Sequence, residues 1–200
     1  GEFPASVLGQ AEKIVADVGA ALAADPRRRD LRDQLCVTVD PADARDFDDA
    51  VGAGGLADGG FELAAHIADV THYVGADTPV DNEAKRRACS AYLVDRVIPM
   101  LPERLCNDVC SLRPGEDRLA MSVVMRLDAR GHVTGARMCC SAIRSEKSRG
   151  TISAEFARAA QEMAKRRLEQ AEEDDAYAKT SYYADLERAK LYADTDKRMK

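Results

Sequence analysis

Five aspartates crowd into ten positions of the stretch VTVDPADARDFDDAV (residues 37–51): Asp40, Asp43, Asp46, Asp48 and Asp49. Carboxylates this close repel one another unless positive charge lies between them. Their flanks limit how the chain can relieve that repulsion. The cluster directly follows the short β-branched run LCVTVD (35–40) and encloses Phe47 and Ala50-Val51, which are apolar. A strand end, an apolar anchor and several charges must therefore share one spot. Asp40 is expected where a buried strand meets a surface or cleft. The spacing brings Asp46, Asp48 and Asp49 onto one turn and leaves a five-residue arm to fold back on Asp40. An apolar anchor makes the carboxylates costly unless a cation shares them.

Several chemistries remain open on these residues alone. The plainest is a solvated acidic loop. Hard oxygen donors in this number otherwise select Mg²⁺ or Mn²⁺ over zinc or copper, and four aspartates suit one ion or two about 4 Å apart, as in phosphoryl displacement. An EF-hand needs a mid-loop glycine and a closing glutamate, which this loop lacks. A phosphatase of the Asp-x-Asp type would use Asp46 and Asp48, but its first aspartate should end a strand, and the strand expected here ends at Asp40. Zinc would need paired ligands at short spacing. Cys36, Cys89, Cys106, Cys110, Cys139 and Cys140 with His66, His72 and His132 supply only Cys106 and Cys110 with a distant histidine. Reduced, mostly buried thiols are the expected state.

The totals are those of a soluble globular chain: 200 residues, 46% hydrophobic and 32% charged, enough for one domain or a piece of one. No run of about 18 apolar residues exists to span a membrane. The opening GEFPASVLGQ lacks the layout of a secretory signal, so a cytoplasmic location is expected. A net charge of −6 does not announce a nucleic-acid binder. Basic clusters nevertheless stand at 27–29, 85–87, 144–149 and 165–167, and much of the acid lies in 40–49 and 169–175. With cations neutralising the first acidic cluster the balance is near even, so the totals neither support nor exclude a polyanionic substrate.

Along the chain, apolar positions at three- and four-residue steps predict a helix over 5–25, ended by Asp25-Pro26. LCVTVD reads as a buried strand and FELAAHIA (61–68) as another. A helix starts in DNEAKRR (81–87), and two prolines then force extended or turn geometry through DRVIPMLPERL. RLAMSVVMRLDARGHVTGARMCCSAIRSEK predicts a β-hairpin turning at DARG. From Ser153 onward an Ala/Glu/Lys/Arg-rich pattern predicts helix. No internal repeat is visible, and Lys200 carries no cap or closing strand, so the chain reads as cut.

TVDPADARDFDDAV resembles the active-site segment of the ribonuclease II/ribonuclease R family, the RNB catalytic domain. The segments RRDLRDQ (28–34), HIADVTHYV (66–74) and SAYLVDRVIPMLPERLCNDVCSLRPGEDRLAMSV (90–123) resemble that family in order and spacing. The likeness is strongest to the ribonuclease R branch and runs from residue 3 to about 145, with a weaker echo through SAIRSEKSRGTIS. It implies an α+β fold, a mixed β-sheet core with surrounding helices and a helical C-terminal segment. It also implies hydrolytic 3′→5′ exoribonuclease activity on single-stranded RNA, releasing nucleoside 5′-monophosphates with Mg²⁺, for which Mn²⁺ is a substitute. The family's four aspartates fall on Asp40, Asp46, Asp48 and Asp49, as metal ligands and catalytic residues, with Asp48 tied most directly to catalysis; Asp43 is the extra acid. The family's base-stacking tyrosine matches Tyr92, and stacking suits a nuclease indifferent to sequence.

Other residues invite roles. Tyr73 competes with Tyr92, and Tyr92 could also be an ordinary core tyrosine. His66 reads as a satisfied strand histidine. Arg96, Arg113 and Arg118 are candidates for phosphate contact, or RPGEDR is a turn held by its own Arg–acid pairs. Asn107 and Cys110 read as packing around a channel. The expected organisation is a helical lead-in (1–34), the first half of an RNB catalytic core (35–145) and a charged helical continuation, truncated or divergent (146–200). The family's second-half arginine, cold-shock and S1 regions find no counterpart, YYADLERAK (182–190) being only a superficial echo. The partner is single-stranded RNA and a monomer is expected. The alternative is a catalytically incomplete RNA-binding or interaction module derived from the same domain.

Overall fold

A computed structural model describes residues 2–40, 44–94, 96–147 and 165. Asp43 and, apart from position 165, the helix expected from Ser153 onward lie outside the described residues. In chain order the elements are α1 (Ala5–Ala11), α2 (Val18–Ala24), β1 (Arg29–Asp30), β2 (Val37–Thr38), β3 (Asp49–Gly55), β4 (Phe61–Ala68), α3 (Val70–Tyr73), α4 (Pro79–Arg87), β5 (Ala91–Tyr92), β6 (Val97–Ile98), a short π-helix (Leu105–Val109), β7 (Asp117–Leu127), β8 (Val133–Arg144) and β9 (Glu146–Lys147). Seven strands form one sheet in the order β1-β8-β7-β4-β3-β2-β9, while β5 and β6 pair separately. The outer pairs β1–β8 and β2–β9 are parallel and the pairs between them antiparallel, so the sheet is mixed and the fold α+β, as expected.

The helix expected over 5–25 is two helices. Asp17 interrupts it by capping α2, its side chain accepting the Ala20 N–H at 2.8 Å. The break lets the two halves serve different faces of the sheet. Val7 and Ala11 join the main core with Ala120 and Ile143, whereas Val18 and Ala21 pack on Leu119 and Ala142. Leu119 and Ala142 oppose each other across β7–β8, and successive side chains along a strand face opposite ways. A straight helix could not cover both surfaces.

The β7–β8 hairpin turns at Asp128–Gly131, with Gly131 at φ 83°, and β4 occupies the span expected. LCVTVD contributes less strand than expected, only Val37–Thr38. The strand missed by periodicity is β3. Its sequence DAVGAGG carries three glycines, a residue depleted in strands, yet it pairs with β4 without a break from Asp49↔Ile67 to Gly55↔Phe61. Gly52 is demanded by crowding: a Cβ there would stand 2.6 Å from the carbonyl oxygen of Leu35, in the segment leading into β2.

Two buried polar assemblies fix the sheet. His66 Nδ1 and Ser122 Oγ lie 2.7 Å apart, and Ser122 Oγ lies 2.6 Å from Ser141 Oγ, which donates to the Ala120 carbonyl at 3.1 Å. His66 is thus the satisfied strand histidine the sequence suggested. Arg28, also buried, donates to Asp69 Oδ2 at 2.9 Å and to the Ser141 carbonyl at 3.0 Å. Asp69 in turn caps α3, accepting from the His72 N–H and the Thr71 hydroxyl. One carboxylate therefore joins the lead-in, the end of β4 and the start of α3. Asp69→Ala leaves the Arg28 guanidinium buried without its counter-charge and should lower unfolding free energy by about 3–5 kcal/mol, measured by urea denaturation.

Candidate functional site

β2 and β3 run antiparallel with Val37 opposite Val51. Extending that register places Asp40, just past β2, across from Asp48, just before β3. Asp49 opens β3 itself, so Asp46, Asp48 and Asp49 do not share a single turn as expected. They run from a loop into a strand, and the pairing of β2 with β3 brings Asp40 back to them.

The loop before β3 is held at three points by the segment after the π-helix. The Phe47 N–H donates to Ser111 Oγ at 3.1 Å, Ser111 Oγ donates to the Arg45 carbonyl at 2.7 Å, and the Leu112 N–H donates to the Phe47 carbonyl at 2.8 Å. The Phe47 ring packs against the core, as its apolar character suggested. On the other side the Ala68 N–H donates to the Asp48 carbonyl at 2.9 Å. These bonds fix the backbone beneath the carboxylates. Ser111 is the positioning residue that sequence reasoning missed; it sat unremarked inside NDVCSL, read only as packing.

Asp40, Asp46, Asp48 and Asp49 line one open cavity of about 680 Å³. Burial pushes the Asp40 carboxyl above its ordinary range, and Asp49 and Asp46 push it further. Asp48 keeps solvent access, yet the protein crowding it raises its carboxyl in the same way, with Asp46, Asp49 and Asp40 adding to the effect. All four charges thus act on one another. Among the described residues no three acidic, histidine or cysteine side chains converge on one point. The donor chemistry nonetheless fits a hard divalent cation: the cluster offers only oxygen ligands, and Asp40 Oδ2 is buried with no hydrogen-bond partner among the described residues.

Tyr92 lies in β5, exposed at the cavity wall, so it is not a core tyrosine; its hydroxyl donates to Asp46 Oδ2 at 3.0 Å. That bond is the main reason its phenol is raised. The short β5–β6 pair is anchored from α4. Arg87 Nη1 donates to the Pro99 carbonyl at 3.1 Å while its guanidinium stacks 3.7 Å above the Phe3 ring, and the Met100 N–H donates to Ser90 Oγ at 3.0 Å. Tyr73, the rival, does not line this cavity; burial raises its phenol to about 12 and its hydroxyl has no partner among the described residues.

The remaining candidates separate clearly. Arg113 bonds Asp108 at 2.7 Å and Glu116 at 2.9 Å, and Arg118 bonds Glu116 at 2.6 Å and the Ser111 carbonyl at 2.9 Å. RPGEDR is therefore a self-paired turn. Arg96 sits in the β5–β6 connection, where its carbonyl accepts the Leu93 N–H. Asn107 lines the cavity, and Cys110 is packed in the core. Burial drives the Cys106 thiol up to about 11 and Cys110 to about 12, so both stay protonated at neutral pH and are poor metal ligands.

The raised carboxyls have a measurable consequence. A group whose folded pKa exceeds its unfolded value favours the fold below its ordinary pKa, and that contribution is lost as pH rises through the raised value. Without divalent cations, ionised Asp48 therefore works against the fold at neutral pH. Asp48→Asn should melt higher than the parent at pH 7 in EDTA, and the gap should close below the ordinary carboxylate range; thermal melts followed by circular dichroism check this.

The RNB domain family matches this chain over residues 28–191. Ribonuclease R of Thermotoga maritima is 48% identical over 147 residues, which cover 74% of this chain and 20% of that protein. The chain thus spans about a fifth of the length of that relative. Among solved structures, Mycoplasma genitalium RNase R in complex with ribose methylated single-stranded RNA superposes with a TM-score of 0.73 at 28% identity, covering 86% of this chain and 29% of that one. Yeast Ssd1, a pseudonuclease, shares the fold with a TM-score of 0.63 at 21% identity, covering 80% of this chain and 20% of that one.

Proposed function

The chain belongs to the RNB domain family, its relatives include proteins named ribonuclease R and DIS3-like exonuclease 2, and from that premise we propose that the protein carrying it is a Mg²⁺-dependent 3′→5′ exoribonuclease. Its substrate is single-stranded RNA and its products are nucleoside 5′-monophosphates. Asp40, Asp46, Asp48 and Asp49 hold one or two Mg²⁺ ions, with Mn²⁺ able to replace them, and Asp48 is tied most directly to the chemistry. When bound, the divalent cation supplies positive charge for the reacting phosphate and lowers the pKa of water.

One observation carries this reading: four mutually repelling carboxylates share an open cavity with an exposed tyrosine, and one buried carboxylate oxygen has no partner among the described residues. A surface acidic loop would not be clamped through Ser111 and Phe47, nor be crowded enough to raise two of its carboxyls. The chain's own residues do the positioning. Ser111 and the Ala68 N–H set the backbone of Asp46 and Asp48, while Tyr92 presents a flat π surface to the terminal base and ties its hydroxyl to Asp46. The fold of Ssd1 is shared at an identity that speaks for architecture alone, so activity is argued from the carboxylates.

The test uses a 5′-labelled single-stranded RNA with Mg²⁺. A ladder shortening from the 3′ end, abolished by EDTA, is expected. Asp48→Asn should lower kcat by at least about a hundredfold with RNA binding largely kept; undiminished degradation by that variant would defeat the assignment. Binding without any shortening of the RNA would favour the catalytically incomplete binding module instead. Tyr92 separates its two contributions by substitution: Tyr92→Ala should raise KM by roughly 5–150-fold, the worth of one stacked base at about 1–3 kcal/mol, while Tyr92→Phe keeps the ring and should leave KM near the parent's.

A further inference from the structure

An RNA strand is a polyanion, and four carboxylates oppose its approach to the cavity. Among the described residues that line this cavity, Arg45 is the one cation. A second opening of about 680 Å³ lies alongside, and the two share Ala44, Arg45, Glu103 and Asn107 as a common wall. The second opening contains two further arginines, both already engaged: Arg104 pairs with Asp108, and Arg113 pairs with Asp108 and Glu116. Arg45 differs. Its side chain is exposed and forms no ion pair or hydrogen bond among the described residues, while its backbone carbonyl is fixed by the Ser111 hydroxyl. An anchored stem with an unengaged, permanently charged head stands at the ridge between two grooves.

We propose that Arg45 is a substrate-binding residue that grips a phosphodiester of the RNA strand where it crosses from the second opening into the carboxylate-lined cavity. The inference rests on the exoribonuclease reading and adds to it the path of the strand. A guanidinium presents a planar fork of donors that matches two phosphate oxygens at once. Placed one residue before Asp46, it offsets the negative potential at the point where the strand would otherwise be repelled. Its neighbours in the ridge do not compete for the role, since Glu103 is acidic and Asn107 neutral.

The experiment measures hydrolysis of a labelled single-stranded RNA by the intact protein across a series of salt concentrations, for the parent, Arg45→Ala and Arg45→Lys. One phosphate contact contributes about 0.7 to the slope of log affinity against log salt for a single strand. Arg45→Ala should raise KM on the order of tenfold, change kcat far less, and flatten the salt dependence of KM by about 0.7. Arg45→Lys should keep the parent's slope with an intermediate KM. An unchanged KM and slope in Arg45→Ala would overturn the inference while leaving the nuclease reading intact. A fall in kcat alone with the parent's slope would overturn it too, marking Arg45 as a support for the Asp46 loop. Absence of both hydrolysis and binding in the parent would remove the exoribonuclease reading and this inference with it.

Discussion

Repulsion among four carboxylates is the constraint around which the rest of this domain is arranged. Left to themselves, aspartates at this density would move apart into water. Here the pairing of β2 with β3 returns Asp40 to the neighbourhood of Asp48, the Phe47 ring holds the intervening loop against the core, and Ser111 locks the loop's backbone from both sides. The energetic signature is the raised carboxyls of Asp40 and Asp48. Strain of this kind persists where the surrounding structure over-determines it, and such places cluster at functional sites.

The scaffold that bears this load is itself stiffened by buried polar contacts. The Arg28–Asp69 pair and the His66–Ser122–Ser141 chain lie within the sheet and its edges. Neither enters the acidic cavity. Their role is to hold β4, β7 and β8 in register, and β4 is the strand against which β3, the carrier of Asp49, is paired along its length. Gly52 of β3 serves the same end by admitting the backbone of Leu35 at close range. The aromatic side of the site is held separately: Arg87 ties α4 to the β5–β6 pair through Pro99, and that pair carries Tyr92. Carboxylates and tyrosine thus come from two independently braced elements that meet at Asp46.

Much of this was legible in the sequence, and the failures have physical causes. β4, the β7–β8 hairpin with its DARG turn and most of α4 were expected, although α4 begins at Pro79, capped by Thr78, rather than at Asp81. β3 escaped because Gly-Ala-Gly-Gly looks like a turn, and only its tertiary pairing makes it a strand. The helix over 5–25 was overextended because periodicity continues across Asp17, whose side chain prefers to cap. The aspartates were recognisable from their density and flanks, and Tyr92 from a family likeness alone. What stayed hidden was contact across the chain: Ser111 lies more than sixty residues from the loop it holds, and the Tyr92–Asp46 bond spans 46 residues. Arg45 looked like one charge among many until its neighbours proved to be paired.

On the proposed function, these aspartates tolerate one another because a divalent cation lies among them. A Mn²⁺ titration read by electron paramagnetic resonance addresses it without reference to turnover. Saturable binding is expected at neutral pH, displaced by excess Mg²⁺ and abolished when Asp46 and Asp48 are both changed to asparagine. Binding that is absent from the parent, or equally strong in the doubly substituted protein, would contradict it.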